Sequence, residues 1–152
     1  IRISSFLDIS SNNYSQAEKA SEAIIDGGFF GKGIGEGTLN SRIPEAHTDF
    51  IISVISEEFG IIIILLIMLA FILFAYNIFK KIKETNENVF KMILTGLISL
   101  LLMQTFVHVG VNLRVLPTTG MTLPYLSYGG SSIISISIIS GIILNLTKRR
   151  VK

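Results

Sequence analysis

Phe59-Gly60-Ile61-Ile62-Ile63-Ile64-Leu65-Leu66-Ile67-Met68-Leu69-Ala70-Phe71-Ile72-Leu73-Phe74-Ala75-Tyr76-Asn77-Ile78-Phe79 runs for 21 residues without a charge. Coiled as a helix, that run is long enough to cross a hydrocarbon core of ~30 Å. A second uncharged run, 92–111, carries Gln104 and His108. A third, 131–146, is shorter and rich in Ile and Ser, and reaches spanning length only if 123–130 joins it. The chain is 49% hydrophobic with a mean hydropathy of +0.62. These runs predict an all-α polytopic membrane protein with three transmembrane helices, preceded by a polar segment containing one short amphipathic helix.

Charge sets the expected orientation. The net charge of +2 and pI near 9 do not point to nucleic acid, because the cations are localised. Lys80, Lys81, Lys83 and Lys91 follow the first span, and Lys148, Arg149, Arg150 and Lys152 follow the third, while the loop between the second and third spans has only Arg114. Basic loops stay on the cytoplasmic side. The division expected is an extracytoplasmic loop at 1–48 and a membrane region at 49–152. Spans fall at about 50–79, 90–111 and 128–146, with a cytoplasmic loop at 80–89, an extracytoplasmic loop at 112–127 and a cytoplasmic tail at 147–152. An external first segment with no targeting helix before it suggests the C-terminal part of a larger membrane protein. With no cysteine, disulfides and thiol catalysis are excluded for these residues.

In the polar segment, Ser15-Gln16-Ala17-Glu18 matches a capping box. Ala17, Ala20, Ser21 and Ile24 then share a face, predicting a short helix that Gly27-Gly28 ends. Gly31-Lys32-Gly33-Ile34-Gly35-Glu36-Gly37 reads as a pliable connection. It is no Walker loop, since no Gly-Lys-Ser/Thr follows, and it lacks the G-x-G-x-x-G spacing.

Before the first span stands Ile43-Pro44-Glu45-Ala46-His47-Thr48-Asp49-Phe50. Pro44 suits a first helical turn, so one helix is expected from about residue 44 through residue 79. Glu45, Asp49, Ser53 and Ser56 would share its face. Ionisable groups where a chain enters the bilayer are costly, which marks Asp49 as a candidate functional residue. From the residues alone, helix capping and chemistry are both open to it. The interleaved His47 raises a metal cluster as one reading and a hydrogen-bonded structural histidine as the other. Glu57 and Glu58 read as structural partners for cations from the missing helices. Gln104, His108 and Asn112, four residues apart, form a polar stripe expected to face the bundle interior. The loop Leu116-Pro117-Thr118-Thr119-Gly120-Met121-Thr122-Leu123-Pro124-Tyr125-Leu126-Ser127-Tyr128-Gly129-Gly130 is apolar yet broken by proline and glycine. Such backbone enters a membrane only where protein or water satisfies it.

The strings PEAHTDF (44–50), EEFG (57–60) and LPTTGMTLPYLSYGGSS (116–132) resemble the C-terminal half of the shape, elongation, division and sporulation (SEDS) family, in order and spacing from about Gln16 onward. Gly35-Glu36-Gly37-Thr38 and Thr122 look more like the family's cell-division branch. The chain differs at Thr119, where many relatives have Lys, and at Lys19 and Ala20, where Gln and Ser are frequent. The resemblance implies a plasma-membrane bundle of roughly ten helices, with this chain as its last part, acting at the division septum. It implies a peptidoglycan glycosyltransferase that polymerises lipid II, with Asp49 aligned to the essential loop aspartate as general base. Substrate-binding candidates are Glu45, His47, Arg42, Lys32, Arg114, Thr118, Thr119 and Ser127. No cofactor is required by the residues; a divalent cation held by Glu45 or Asp49 is the alternative to Arg42, Lys32 or Arg114 as counter-charge for pyrophosphate. Expected partners are a class B penicillin-binding protein transpeptidase, other divisome proteins and the remaining N-terminal helices. Without those helices this stretch alone is expected to be inactive. A lipid II flippase and a noncatalytic divisome scaffold are the competing functions.

Overall fold

The computed structural model describes residues 16–39, 43 and 45–148. Among these it has five helices: α1 (Gln16–Gly27), α2 (Ile51–Phe59), α3 (Ile61–Glu84), α4 (Asn88–Asn112) and α5 (Gly130–Thr147). The capping serine expected at Ser15, and Pro44, lie outside the described residues. The helices α3, α4 and α5 are long and apolar enough to cross a membrane. At 24, 25 and 18 residues they extend roughly 36, 37 and 27 Å at the usual helical rise.

The single helix expected from about residue 44 through residue 79 is two helices. Gly60 separates them at φ 81°, a left-handed conformation that only glycine adopts without strain. Residues 45–50 form a run of turns rather than helix. A methyl group on Gly60 would collide with the carbonyl oxygen of Phe29, one on Gly31 with that of Glu58, and one on Gly27 with that of Ser56. The end of α1 and the loop after it therefore lie directly on the backbone of α2.

That contact corrects the reading of 31–37 as a pliable connection. Lys32 N donates to Glu57 O at 2.8 Å and Gly33 N to Glu58 O at 3.1 Å, while Ile61 N donates to Gly28 O at 3.0 Å. The last carbonyls of a helix and the first amides of the next lack intrahelical partners. Here the glycine-rich loop supplies partners on both sides of the break.

A connection of three residues turns α3 back into α4. Their contact joins α5 in a shared core of Ala75, Ile78, Leu94, Ile98, Leu101, Ile136 and Ile143. At the other end, Ala20, Ala23, Leu39, Ile43, Ala46, Phe50, Val54 and Val111 form a second core. It fixes α1 and the turns at 45–50 against α2 and the end of α4. The segment 123–129 does not lengthen α5. Instead it makes a compact turn in which Ser127 N donates to Leu123 O at 3.1 Å and Ser127 Oγ accepts from Leu123 N at 2.8 Å. Tyr125 has φ 66° in this turn, which helical backbone forbids. Its ring meets Phe71 of α3 at 6.4 Å between centroids, and its hydroxyl lies 2.6 Å from Ser140 Oγ of α5.

Candidate active site

The Asp49 segment is held on both sides by backbone hydrogen bonds. Asp49 N and Thr48 N donate to Glu45 O at 3.1 and 3.2 Å, and Val54 N donates to Phe50 O at 3.1 Å. Asp49 thus closes the turn and stands one residue before Phe50, the N-cap of α2. It therefore precedes the end of α2 at which aligned peptide dipoles favour negative charge. Asp49 is half-buried, whereas Glu45 and His47 are exposed.

Two distant stretches converge on this turn. Tyr128 N donates to His47 O at 3.1 Å, and Asn112 Nδ2 donates to Asp49 O at 3.0 Å. Gly120, at φ 73°, brings the 116–130 loop so close that a methyl placed on it would stand 3.7 Å from Asp49 Oδ2. The loop is tied to its neighbours in turn. Gln104 Nε2 donates to Thr122 O at 2.8 Å, and Thr122 Oγ1 lies 2.6 Å from Ser132 Oγ. Beside Gly120, a groove of about 620 Å³ opens between α4 and α5, with Gln104, Thr122 and Ser132 on its polar side.

The Gln104–His108–Asn112 stripe lies against this site. His108 and Asn112 are buried and Gln104 is half-buried. His108 Nδ1 is 3.4 Å from Asn112 Nδ2. Its Nε2 is buried without a hydrogen-bond partner among the described residues.

The remaining candidates divide. Arg42 lies outside the described residues. Lys32 Nζ is 3.1 Å from both Asp26 Oδ2 and Glu57 Oε1. Arg114 pairs with Glu18 at 3.0 Å. Ser127 is buried and spends its hydroxyl closing the 123–127 turn, while Thr118 is half-buried and Thr119 exposed. No group of three or more His, Asp or Glu side chains converges to hold a metal ion among the described residues.

Glu57 has a larger role than its sequence context suggested. Its carboxylate accepts from Thr38 N at 3.0 Å, Leu39 N at 3.0 Å, Thr38 Oγ1 at 3.1 Å and Lys32 Nζ at 3.1 Å. Burial pushes this carboxyl up, but the two backbone amides, Lys32 and the threonine hydroxyl outweigh it and hold Glu57 below the usual carboxylate range. The Lys32 ammonium is raised by Asp26 and then by Glu57. The signal for this latch was a carboxylate pair inside an apolar run, facing a Gly-Thr segment rich in free amides.

Three spanning helices and an interlocked polar end define a multi-pass membrane protein. The FtsW/RodA/SpoVE family, described as "Cell cycle protein", matches residues 1–152, and the chain belongs to that family. It is similar to "Probable peptidoglycan glycosyltransferase FtsW" of Caulobacter vibrioides (strain NA1000 / CB15N), at 37% identity over 98% of this chain and 38% of that protein. Proteins of the same name from Enterococcus hirae and Francisella salina are 39% and 41% identical, over 97% and 95% of this chain and 37% and 38% of theirs. A solved structure described as "Structural coordination of polymerization and crosslinking by a peptidoglycan synthase complex" superposes with a TM-score of 0.72 at 28% identity, covering 96% of this chain and 40% of that one. The chain therefore spans about two-fifths of the length of these relatives.

Proposed function

We propose that the protein containing this chain is a peptidoglycan glycosyltransferase that polymerises lipid II, with Asp49 as its general base. The observation that carries the reading is the convergence of the 116–130 loop and Asn112 on the Asp49 turn. A half-buried carboxylate just ahead of α2 thereby faces Gly120, which itself lines the open groove between α4 and α5. The relatives' names supply the reaction class.

In the reaction, the 4-hydroxyl of the acceptor GlcNAc attacks the anomeric carbon of the donor sugar. Asp49 takes the hydroxyl proton as the new C–O bond forms. The bond from that carbon to the pyrophosphate oxygen breaks, and lipid pyrophosphate leaves with the electron pair. One displacement inverts the α-linkage to β-1,4, so a second carboxylate nucleophile is unnecessary. A positioned base contributes ~100- to 10,000-fold. Lys32 and Arg114 are held by carboxylates within the chain, so Arg42, a divalent cation near Glu45 and Asp49, or the rest of the protein would neutralise the pyrophosphate. Glu45, His47, Thr118 and Thr119 border the site as candidate sugar contacts. The charge of the 80–89 loop favours a cytoplasmic position for it, which in this reading leaves Asp49 on the outer face of the plasma membrane; action at the septum follows the resemblance to the family's cell-division branch. The partner is a class B penicillin-binding protein transpeptidase, as the crosslinking half of the similar complex suggests.

The test supplies lipid II in detergent micelles, where no leaflet needs to be crossed. Glycan strands made by the full-length protein with its partner support the enzyme. Failure there, combined with lipid II translocation in sealed vesicles, would establish a flippase instead. Failure of both leaves the scaffold.

A further inference from the structure

We propose that Asn112 is a positioning residue for Asp49, acting by capping α2 from the end of α4; the inference rests on the reading of Asp49 as the base. Asn112 is the last residue of α4 and is fully buried. A primary amide has two donors and two acceptor sites, and here all four are used. Nδ2 donates to Asp49 O at 3.0 Å and to His108 O at 2.8 Å. Oδ1 accepts from Ser53 Oγ at 2.8 Å and from Ser53 N at 3.3 Å.

The position of those partners explains the arrangement. Ser53 is the third residue of α2, so its N–H has no partner within the helix. A side chain at the N-cap ordinarily accepts that bond, but Phe50 stands there and forms none. Asn112, 59 residues away in sequence, takes over the task with one edge of its amide. The other edge grips the carbonyl of Asp49, just ahead of the cap. The start of α2 and the backbone of Asp49 are thereby referenced to the end of a spanning helix. Ser53 is also fully buried, so water does not loosen the clamp, and a buried amide with every site matched specifies one geometry. The catalytic carboxylate hangs from a backbone that Asn112 holds still, and a displacement of ~1 Å at a reacting group can cost 100-fold.

Asn112→Asp keeps the shape and an acceptor for Ser53, but has no donor for Asp49 O. Ser53→Ala removes one bond from the other edge and leaves the grip on Asp49. Both are made in the full-length protein with its transpeptidase partner, alongside Asp49→Asn, and rates are expressed per folded complex. The expected result is a kcat for lipid II polymerisation reduced about 10- to 100-fold in Asn112→Asp, with KM within about twofold, and a smaller loss of kcat in Ser53→Ala. A purely structural role would lower the amount of folded complex and leave kcat per complex unchanged, which overturns the inference. Should Asp49→Asn retain full activity, the base reading fails and this inference with it. If Asp49→Asn is inactive while Asn112→Asp keeps its kcat, only the inference about Asn112 fails.

Discussion

The backbone N–H of Tyr128 donates to the carbonyl of His47 at 3.1 Å, joining the two most distinctive motifs of the chain across about 80 residues. Neither motif makes this arrangement alone. The turn at 45–50 supplies a carboxylate, and the 116–130 loop supplies the wall that faces it. The bond uses main-chain atoms only, so the juxtaposition is a property of the fold rather than of one side-chain pair.

Gly120 is the point where that wall approaches the carboxylate most informatively. A left-handed φ costs a non-glycine residue roughly 1–2 kcal/mol, which Gly120→Ala relieves by shifting the loop. Turnover in lipid II polymerisation is expected to fall about 10- to 100-fold, with folded yield retained. Rates measured on matched amounts of folded complex check it.

Gly60 and Gly27 should behave differently, because their missing side chains make room for backbone. Gly60→Ala collides with Phe29 O and Gly27→Ala with Ser56 O, and neither carbonyl can swing away. Each substitution is expected to destabilise the full-length protein by more than about 2 kcal/mol, seen as lost folded yield and a lower Tm. Gly141→Ala in α5, with open space around it, should be neutral or slightly stabilising.

The Glu57 latch predicts a pH signature. Its folded-state pKa is depressed from 4.5, so its contribution is present above 4.5 and is lost as pH falls through the lower folded value. Lys32 is raised from 10.5, so its contribution is present below 10.5 and is lost as pH rises through the higher folded value. Glu57→Leu strands two amides and an ammonium, and a hydrogen bond to a charged group contributes ~1.5–3 kcal/mol. A Tm difference between native protein and Glu57→Leu should therefore be steady near neutrality and shrink at acid pH. A difference that stays constant to pH 3 would contradict it.

The Arg114–Glu18 pair is largely exposed, with side-chain exposures of 46% and 34%, which limits it to about 1 kcal/mol or less. A double-mutant cycle on thermal stability should find a coupling no larger than that. Arg114→Ala should also leave the KM for lipid II unchanged if Glu18 is its working partner. A several-fold rise in KM would return Arg114 to the pyrophosphate site.

Much of the architecture was legible because uncharged runs of spanning length have few soluble alternatives. The short helix α1 was equally plain from its repeated small apolar face. The break at Gly60 was not, since an isolated glycine in an apolar run is ordinarily tolerated; what requires it is the Phe29 carbonyl, 31 residues away in sequence. The same non-local contact hid the docking of 31–37, whose composition alone reads as flexibility. Asp49 stood out by its position before an apolar run and by its motif. The residue that caps its helix did not, because caps are sought beside the helix they serve, and Asn112 reaches α2 from the end of another. Lys32 stood out as an anion ligand by charge, whereas its ion pairs with Asp26 and Glu57 depend on the fold.

The most direct measurement is glycan-strand formation from lipid II by the full-length protein and its transpeptidase partner, with the transpeptidase site blocked, comparing native protein with Asp49→Asn. The amide matches the carboxylate in shape and lacks its basicity. If Asp49 is the general base, strand formation falls at least about 100-fold while the complex still assembles. Strands formed at the native rate by Asp49→Asn would contradict the assignment.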